Sequence, residues 1–159
     1  MVRGSFNAIV RHVEGPSEFV VDTSHLPLLI TTWFASPTLE LAEAYTRWFH
    51  EYVERCRISG RRFVILDDAS RAGRPAPPVR GCLSKIQCPP EVVIDRVVVV
   101  NSSAIRGAIT ALSWITGNPI KTATTVEDGV RDCLALLDAA GVAPPREFEF
   151  ELVQPSASP

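Results

Sequence analysis

The strongest hydrophobic pattern in the chain is a run of four valines, residues 97–100, that ends abruptly at Asn101. Four consecutive valines leave no polar face for water, so the run predicts a strand that is buried on both faces. Such strands are typical of parallel sheets covered by helices. Shorter apolar runs predict strands at residues 18–22, 28–34 and 63–66, and the first two are close enough to form a hairpin.

Apolar residues recur at helical spacing in four segments between and after these strands. The longest helix is predicted to begin at Ser36-Pro37, with the serine as its cap, and to run to about Ile58, with Gly60 closing it. The others are predicted at residues 79–88, 103–116 and 125–140, and a short strand at 120–123 precedes the last. The order β-β-α-β-α-β-α-β-α predicts an α/β fold: a mainly parallel central sheet entered by an N-terminal β-hairpin, with four flanking helices.

Both ends of this core leave room for further strands. Residues 6–12 alternate weakly between apolar and polar and allow an edge strand before the hairpin. Near the C-terminus, Phe148, Phe150 and Leu152 alternate with glutamates, which predicts an extra antiparallel strand or, alternatively, a disordered acidic tail. We therefore predict a single domain over residues 1–159, with its core at about 18–140 and a C-terminal extension at 141–159.

Composition and charge limit the classes of molecule that this chain is expected to bind. The chain has 159 residues, of which 46% are hydrophobic and 21% charged, and a net charge of −2, so nothing points to nucleic acid. Residues 55–85 nevertheless carry eight basic against two acidic residues, which suits either an acidic partner or a solvated surface. No signal segment and no apolar run of membrane-spanning length is visible, so we expect a cytoplasmic protein without a membrane span.

The cysteines indicate a reducing compartment. Their spacing matches neither a zinc site nor a disulfide framework, and most fall at apolar positions of predicted helices, where a free thiol packs as a small hydrophobe. We expect no metal and no cofactor. The four are Cys56, Cys82, Cys88 and Cys133.

The element order over residues 18–140, and above all the segment 28–68, resembles the STAS and SpoIIAA-like family of bacterial regulatory domains. That resemblance implies a non-enzymatic module that works by binding a protein partner, although some relatives bind lipids or nucleotides. In anti-sigma-factor antagonists of the family, a serine is phosphorylated just after the strand that corresponds to residues 63–66. Their Asp-Ser-Ser-Gly pattern is replaced here by Asp67-Asp68-Ala69-Ser70, so Ser70 is the nearest candidate phosphosite.

Polar side chains follow three of the predicted parallel strands. In such sheets ligands bind beyond the carboxyl ends of the strands, and the start of a following helix can hold an anion. The set therefore predicts a small-ligand or phosphate site, whereas the simpler interpretation is that these side chains cap helices and turns. The set comprises Asp67, Asp68, Asn101, Ser102, Ser103, Arg106 and Lys121.

The helix predicted at 103–116 offers a candidate interface. Its core side is predicted to hold Ile105, Ala108, Ile109 and Leu112. The opposite side carries small residues and one tryptophan, which suits a homodimer or partner contact, unless the tryptophan packs within its own chain. Together these observations favour a non-enzymatic regulatory module that binds protein and forms a homodimer. The alternative is an α/β domain that binds a small ligand or phosphate at the carboxyl ends of the strands, with or without an enzymatic activity. The outer side comprises Ser103, Gly107, Ala111 and Trp114.

Overall fold

The computed structural model describes residues 6, 8–107, 109, 120–146 and 151–156. Within these residues the chain forms one six-stranded sheet whose strand order follows the chain order. The first three strands are antiparallel neighbours, and the last four are parallel neighbours. The strands are β1 (Ile9–Glu14), β2 (Ser17–Asp22), β3 (Leu28–Phe34), β4 (Phe63–Asp68), β5 (Val93–Val99) and β6 (Lys121–Ala123).

Helices connect the parallel strands. The long helix α1 (Leu39–Ile58) and the short helix α2 (Pro77–Leu83) lie in the β3–β4 and β4–β5 connections. Helix α3 is described at residues 103–107, and α4 (Val126–Ala139) follows β6. The predicted element order and the mainly parallel sheet are confirmed. The sequence had allowed an edge strand at 6–12, and the structure forms it as β1.

Two cores lie on opposite faces of the sheet because alternate residues of a strand point to opposite sides. On β4, Phe63 and Ile65 pack in the core beneath α1, whereas Val64 and Leu66 pack in the core beneath α4. Val97 of the valine run joins the α4 core and is fully buried. The valine strand therefore lies inside the layered structure, between two parallel neighbours, as predicted. Its burial is not equal on both faces, however, because Val98, which lies beside Asp67 on the α1 side, is only partly buried.

The start of α1 lies two residues later than the sequence suggested. Thr38, not Ser36, is the N-cap, and its hydroxyl accepts a hydrogen bond of 3.2 Å from the Leu41 amide. Ser36 belongs to the end of the sheet instead, because its carbonyl accepts a hydrogen bond of 2.6 Å from the Ser17 hydroxyl. The chain then has to turn before a helix can begin. At the other end of α1, Gly60 adopts a φ of +65°, as expected of a glycine that ends a helix.

The C-terminal extension returns to the antiparallel end of the sheet. Residues 147–150, which carry most of the predicted extra strand, lie outside the described residues, and residues 151–156 show no strand pairing. The latter instead contact side chains of β1 and β2 through hydrogen bonds. In the described part of the chain, no helix has both the length and the apolar character needed to cross a membrane.

Candidate functional site

Asp67 and Asp68 end β4 next to each other in sequence, yet they serve two separate groups of residues. Asp67 lies on the α1 side of the sheet, where it accepts a hydrogen bond from Arg96. Asp68 interacts with the loop that follows β4. The two carboxylates therefore do not form a shared acidic pair, because successive residues of a strand point to opposite faces.

The Asp67 carboxylate is buried, whereas its partner Arg96 is partly exposed. Nε of Arg96 donates to Oδ2 of Asp67, whereas Oδ1 of Asp67 has no hydrogen-bond partner among the described residues. The hydroxyl of Tyr45 lies 3.4 Å from that of Thr31, which is the residue beside Asp67 on β3. Burial raises the pKa of Tyr45, and the Asp67 carboxylate raises it further. Burial alone would lower the pKa of Arg96, but the Asp67 carboxylate outweighs burial and raises it. This group is an internal ion pair that joins β4 to β5.

The Asp68 group closes the turn after β4. Oδ1 of Asp68 accepts hydrogen bonds from the backbone N–H of Ser70 at 3.0 Å and from its hydroxyl at 2.5 Å. Arg71 lies 3.5 Å from the other carboxylate oxygen. Nδ2 of Asn101 donates to the Ser70 carbonyl at 3.1 Å. The structure thus brings together three of the predicted residues, namely Asp68, Ser70 and Asn101, and the candidate phosphosite Ser70 has its hydroxyl held by a carboxylate.

Three further residues of the predicted ligand site make contacts that stabilise the local structure. They are Ser102, Arg106 and Lys121. The hydroxyl of Ser102 accepts a hydrogen bond of 3.4 Å from the Ile105 amide, at the start of α3. Arg106 donates from Nη1 to the Val100 carbonyl at 3.0 Å, and so ties α3 back to the end of β5. Lys121 is the first residue of β6, and its Nζ lies 3.3 Å from a carboxylate oxygen of Asp95. Asp95 is near the start of β5, so this ion pair lies away from the carboxyl ends of the strands, where the ligand site was predicted. These contacts do not gather the residues around one point.

The candidate interface is described only in part. Ser103 and Gly107 are exposed on α3, whereas Ala111 and Trp114 lie outside the described residues. Among the described residues, a Cβ placed on Gly107 would meet nothing within 4 Å. Ile105, predicted to face the core, is 45% exposed, because it lies in the first turn of α3 beyond the end of β5.

Sequence reasoning missed the charged residues that hold the C-terminal extension. Glu18 and Arg11 lie on neighbouring strands and form an ion pair of 2.5 Å. Both also contact Ser156, and Arg71 donates from Nη1 to the Val153 carbonyl at 2.8 Å. One signal was available in the sequence. Glu18 is a charged residue in a strand whose other residues are also buried, and such a residue needs a partner.

This architecture is similar to that of proteins whose structures have been solved. An uncharacterized protein of the DUF3478 family from Shewanella loihica PV-4, which has a SpoIIAA-like fold, superposes with a TM-score of 0.54 at 13% identity, over 84% of this chain and 98% of that one. The chain has the SpoIIAA-like fold. The fold inferred from element order is therefore confirmed.

A second similar structure is that of an anti-sigma factor antagonist from Mycobacterium paratuberculosis. It matches with a TM-score of 0.49 and 15% identity, over 79% of this chain and 94% of that one. No protein-family model matches the sequence, and no curated protein matches it. Among the described residues, no three His, Cys, Asp or Glu side chains are grouped as a metal site requires.

Proposed function

We propose that this chain is a non-enzymatic, cytoplasmic regulatory module that acts by binding protein, and that it self-associates as a homodimer. The observation that carries the proposal is that the carboxylates at the carboxyl end of β4 bind other residues of the same chain. Asp67 is paired with Arg96, and Asp68 holds the turn at Ser70. Charges engaged in this way belong to the fold, which favours a binding surface elsewhere on the chain over a small-ligand site at the strand ends.

The proposed dimer contact is the outer side of α3. Ser103 and Gly107 are both exposed there, and small residues let the backbone of a second helix approach closely. In our proposal the contact continues along the sequence to Ala111 and Trp114, where the tryptophan supplies apolar area. A second copy of this chain is the proposed occupant.

A matched pair of glycine variants tests the contact. Gly107→Glu should abolish self-association, because it places a charged side chain in the middle of the contact. Gly81→Glu, on the exposed surface of α2, is the control, because a Cβ at either glycine meets no described residue within 4 Å, and we expect both variants to fold. Sedimentation velocity over a range of concentrations should show a dimer for the parent and Gly81→Glu, and a monomer for Gly107→Glu. Equal masses for all three would refute the contact.

Thermal unfolding tests the protein-binding role against small-ligand binding. A ligand present at one hundred times its Kd stabilises its protein by about 2.7 kcal/mol. Nucleotides, phosphorylated metabolites and Mg²⁺ should each leave the unfolding temperature unchanged if the strand-end charges are structural. A stabilisation that disappears in the variant Asn101→Ala, which removes a side chain of the Asp68 group, would instead establish a ligand site there.

A further inference from the structure

Glu18 is an unusual residue for the middle of a sheet. It is 3% exposed, and a buried carboxylate is costly unless it is paired and hydrogen-bonded. Oε1 accepts a hydrogen bond of 2.5 Å from Arg11 and one of 3.0 Å from the Ser156 hydroxyl, and Oε2 accepts one of 2.8 Å from the Ser156 amide. Two of these three contacts come from the C-terminal segment, residues 151–156.

The rest of this segment is held by two arginines that contact its backbone. Arg11 donates from Nη1 and Nη2 to the Gln154 carbonyl, at 3.2 Å each, and Arg71 donates from Nη1 to the Val153 carbonyl at 2.8 Å. The guanidinium of Arg71 is itself positioned 4.5 Å above the Phe34 ring. We call Arg11, Glu18 and Arg71 the tail dock. It contacts two consecutive backbone carbonyls and then the amide and hydroxyl of a serine.

The contacts of the tail dock depend on backbone groups and one hydroxyl more than on apolar side chains. Leu152 is 50% exposed, and Gln154, Pro155 and Ser156 are also exposed. A segment that buries so little apolar surface is held mainly by hydrogen bonds, which exchange readily for equivalent bonds to another peptide. The same donors and acceptors would fit any linear segment with a serine in the position of Ser156.

We propose that the tail dock is a peptide-recognition site for a serine-containing linear segment of a partner protein, and that residues 151–156 occupy it as a built-in competitor. This proposal rests on the protein-binding role proposed above. A tethered competitor acts at an effective concentration of the order of millimolar, so a partner segment binds tightly only when the tail is weakened. The tail thereby sets the threshold for partner binding.

The test uses the full chain and a labelled synthetic peptide with the sequence of residues 150–157. Ser156→Pro in the protein removes both the amide and the hydroxyl that reach Glu18, and so weakens the tail without adding charge. Fluorescence anisotropy should show the peptide binding at least tenfold more tightly to Ser156→Pro than to the parent. A peptide with alanine in place of its serine should bind Ser156→Pro at least tenfold more weakly than the native peptide.

Variants of the dock localise the binding. Adding Glu18→Ala to Ser156→Pro should remove peptide binding, whereas adding Glu54→Ala should not, because Glu54 pairs with Arg57 on the exposed surface of α1. The inference is overturned if the peptide fails to bind Ser156→Pro, if it binds the parent equally well, or if the alanine peptide binds unchanged. Sedimentation velocity of the same samples distinguishes the tail-dock proposal from the homodimer proposal. If the chain sediments as a dimer but does not bind the peptide, only the tail-dock proposal fails.

Discussion

The carboxylate of Asp67 accepts a hydrogen bond from Nε of Arg96, and this ion pair joins the end of β4 to β5 on the α1 side of the sheet. Asp67 is 2% exposed, whereas the Arg96 side chain is 33% exposed. Replacing Asp67 removes the counter-charge of Arg96, whose side chain is only partly exposed to water, and puts a neutral amide in the buried position of the carboxylate. Asp67→Asn should therefore destabilise the fold by about 2–3 kcal/mol, as measured by urea unfolding.

The control for this change is Asp128→Asn. Asp128 also pairs with an arginine, Arg131 at 2.6 Å, but both side chains are largely exposed. Its loss should cost less than about 1 kcal/mol. Equal effects of the two substitutions would mean that the Asp67–Arg96 pair contributes no more than a surface ion pair.

Gly129 allows α4 to pack closely on the sheet. A Cβ at this position would lie 2.6 Å from Cδ1 of Leu66 and 2.9 Å from Cγ2 of Val99. Gly129→Ala should destabilise the fold by about 1–3 kcal/mol, because the α4 core has to shift to accept a methyl group. Gly81→Ala has open space and should instead stabilise α2 by up to about 1 kcal/mol. Thermal unfolding of both variants gives the comparison, and a stabilised Gly129→Ala would contradict the packing described.

Attachment of the tail should depend on pH through Glu18. Burial would raise the pKa of Glu18, but hydrogen bonds from Ser156 and Arg11 outweigh burial and hold the pKa below its ordinary value of 4.5. A lowered pKa means that the stabilisation is present above pH 4.5 and is lost as the pH falls through the lower, folded-state value. The Ser156 amide resonance, followed by NMR, should shift with a midpoint below 4.5. In Glu18→Gln this transition should be absent, and a midpoint above 4.5 would contradict the assignment.

The four thiols should differ in reactivity. Burial raises the pKa of Cys133 to about 12, with neighbouring carboxylates adding to the effect, and burial also raises the pKa of Cys56. Burial of its sulfur raises the pKa of Cys88 as well, but Cys88 is the exposed cysteine and is therefore the most accessible to a reagent, whereas Cys82 is partly buried. A disulfide reagent at pH 8 should modify Cys88 fastest and reach Cys56 and Cys133 only on unfolding. The fast phase should disappear in Cys88→Ser, and rapid modification of that variant at Cys133 would contradict the buried placement.

The parts of the fold that follow from local patterns could be predicted from the sequence. The valine strand, the apolar face of α1 and the cap of α4, where Thr125 accepts a hydrogen bond from the Asp128 amide, each leave a signature within a few residues. The cap of α1 was misplaced because Ser36 and Thr38 are both good caps, and only the bond from Ser17 to the Ser36 carbonyl distinguishes them.

The candidate site was harder to predict because its pairings cross strands. Arg96 directly precedes the valine run, and its side chain pairs with Asp67 on the neighbouring strand. The contact between Glu18 and Ser156 spans 138 positions and leaves no periodic trace in the sequence. A charged residue in a buried strand predicts only that some partner exists, not where in the chain it lies.

The strand order of the sheet also affects how the chain folds during synthesis. Because each strand pairs with the strand that precedes it, every new strand can add to the edge of the sheet that is already complete, although the parallel strands are joined by long connections that contain helices. Residues 151–156 leave the ribosome after all six strands. A nascent chain therefore presents Glu18 and Arg11 uncovered before its own competitor exists, and a partner met at that moment would have first access.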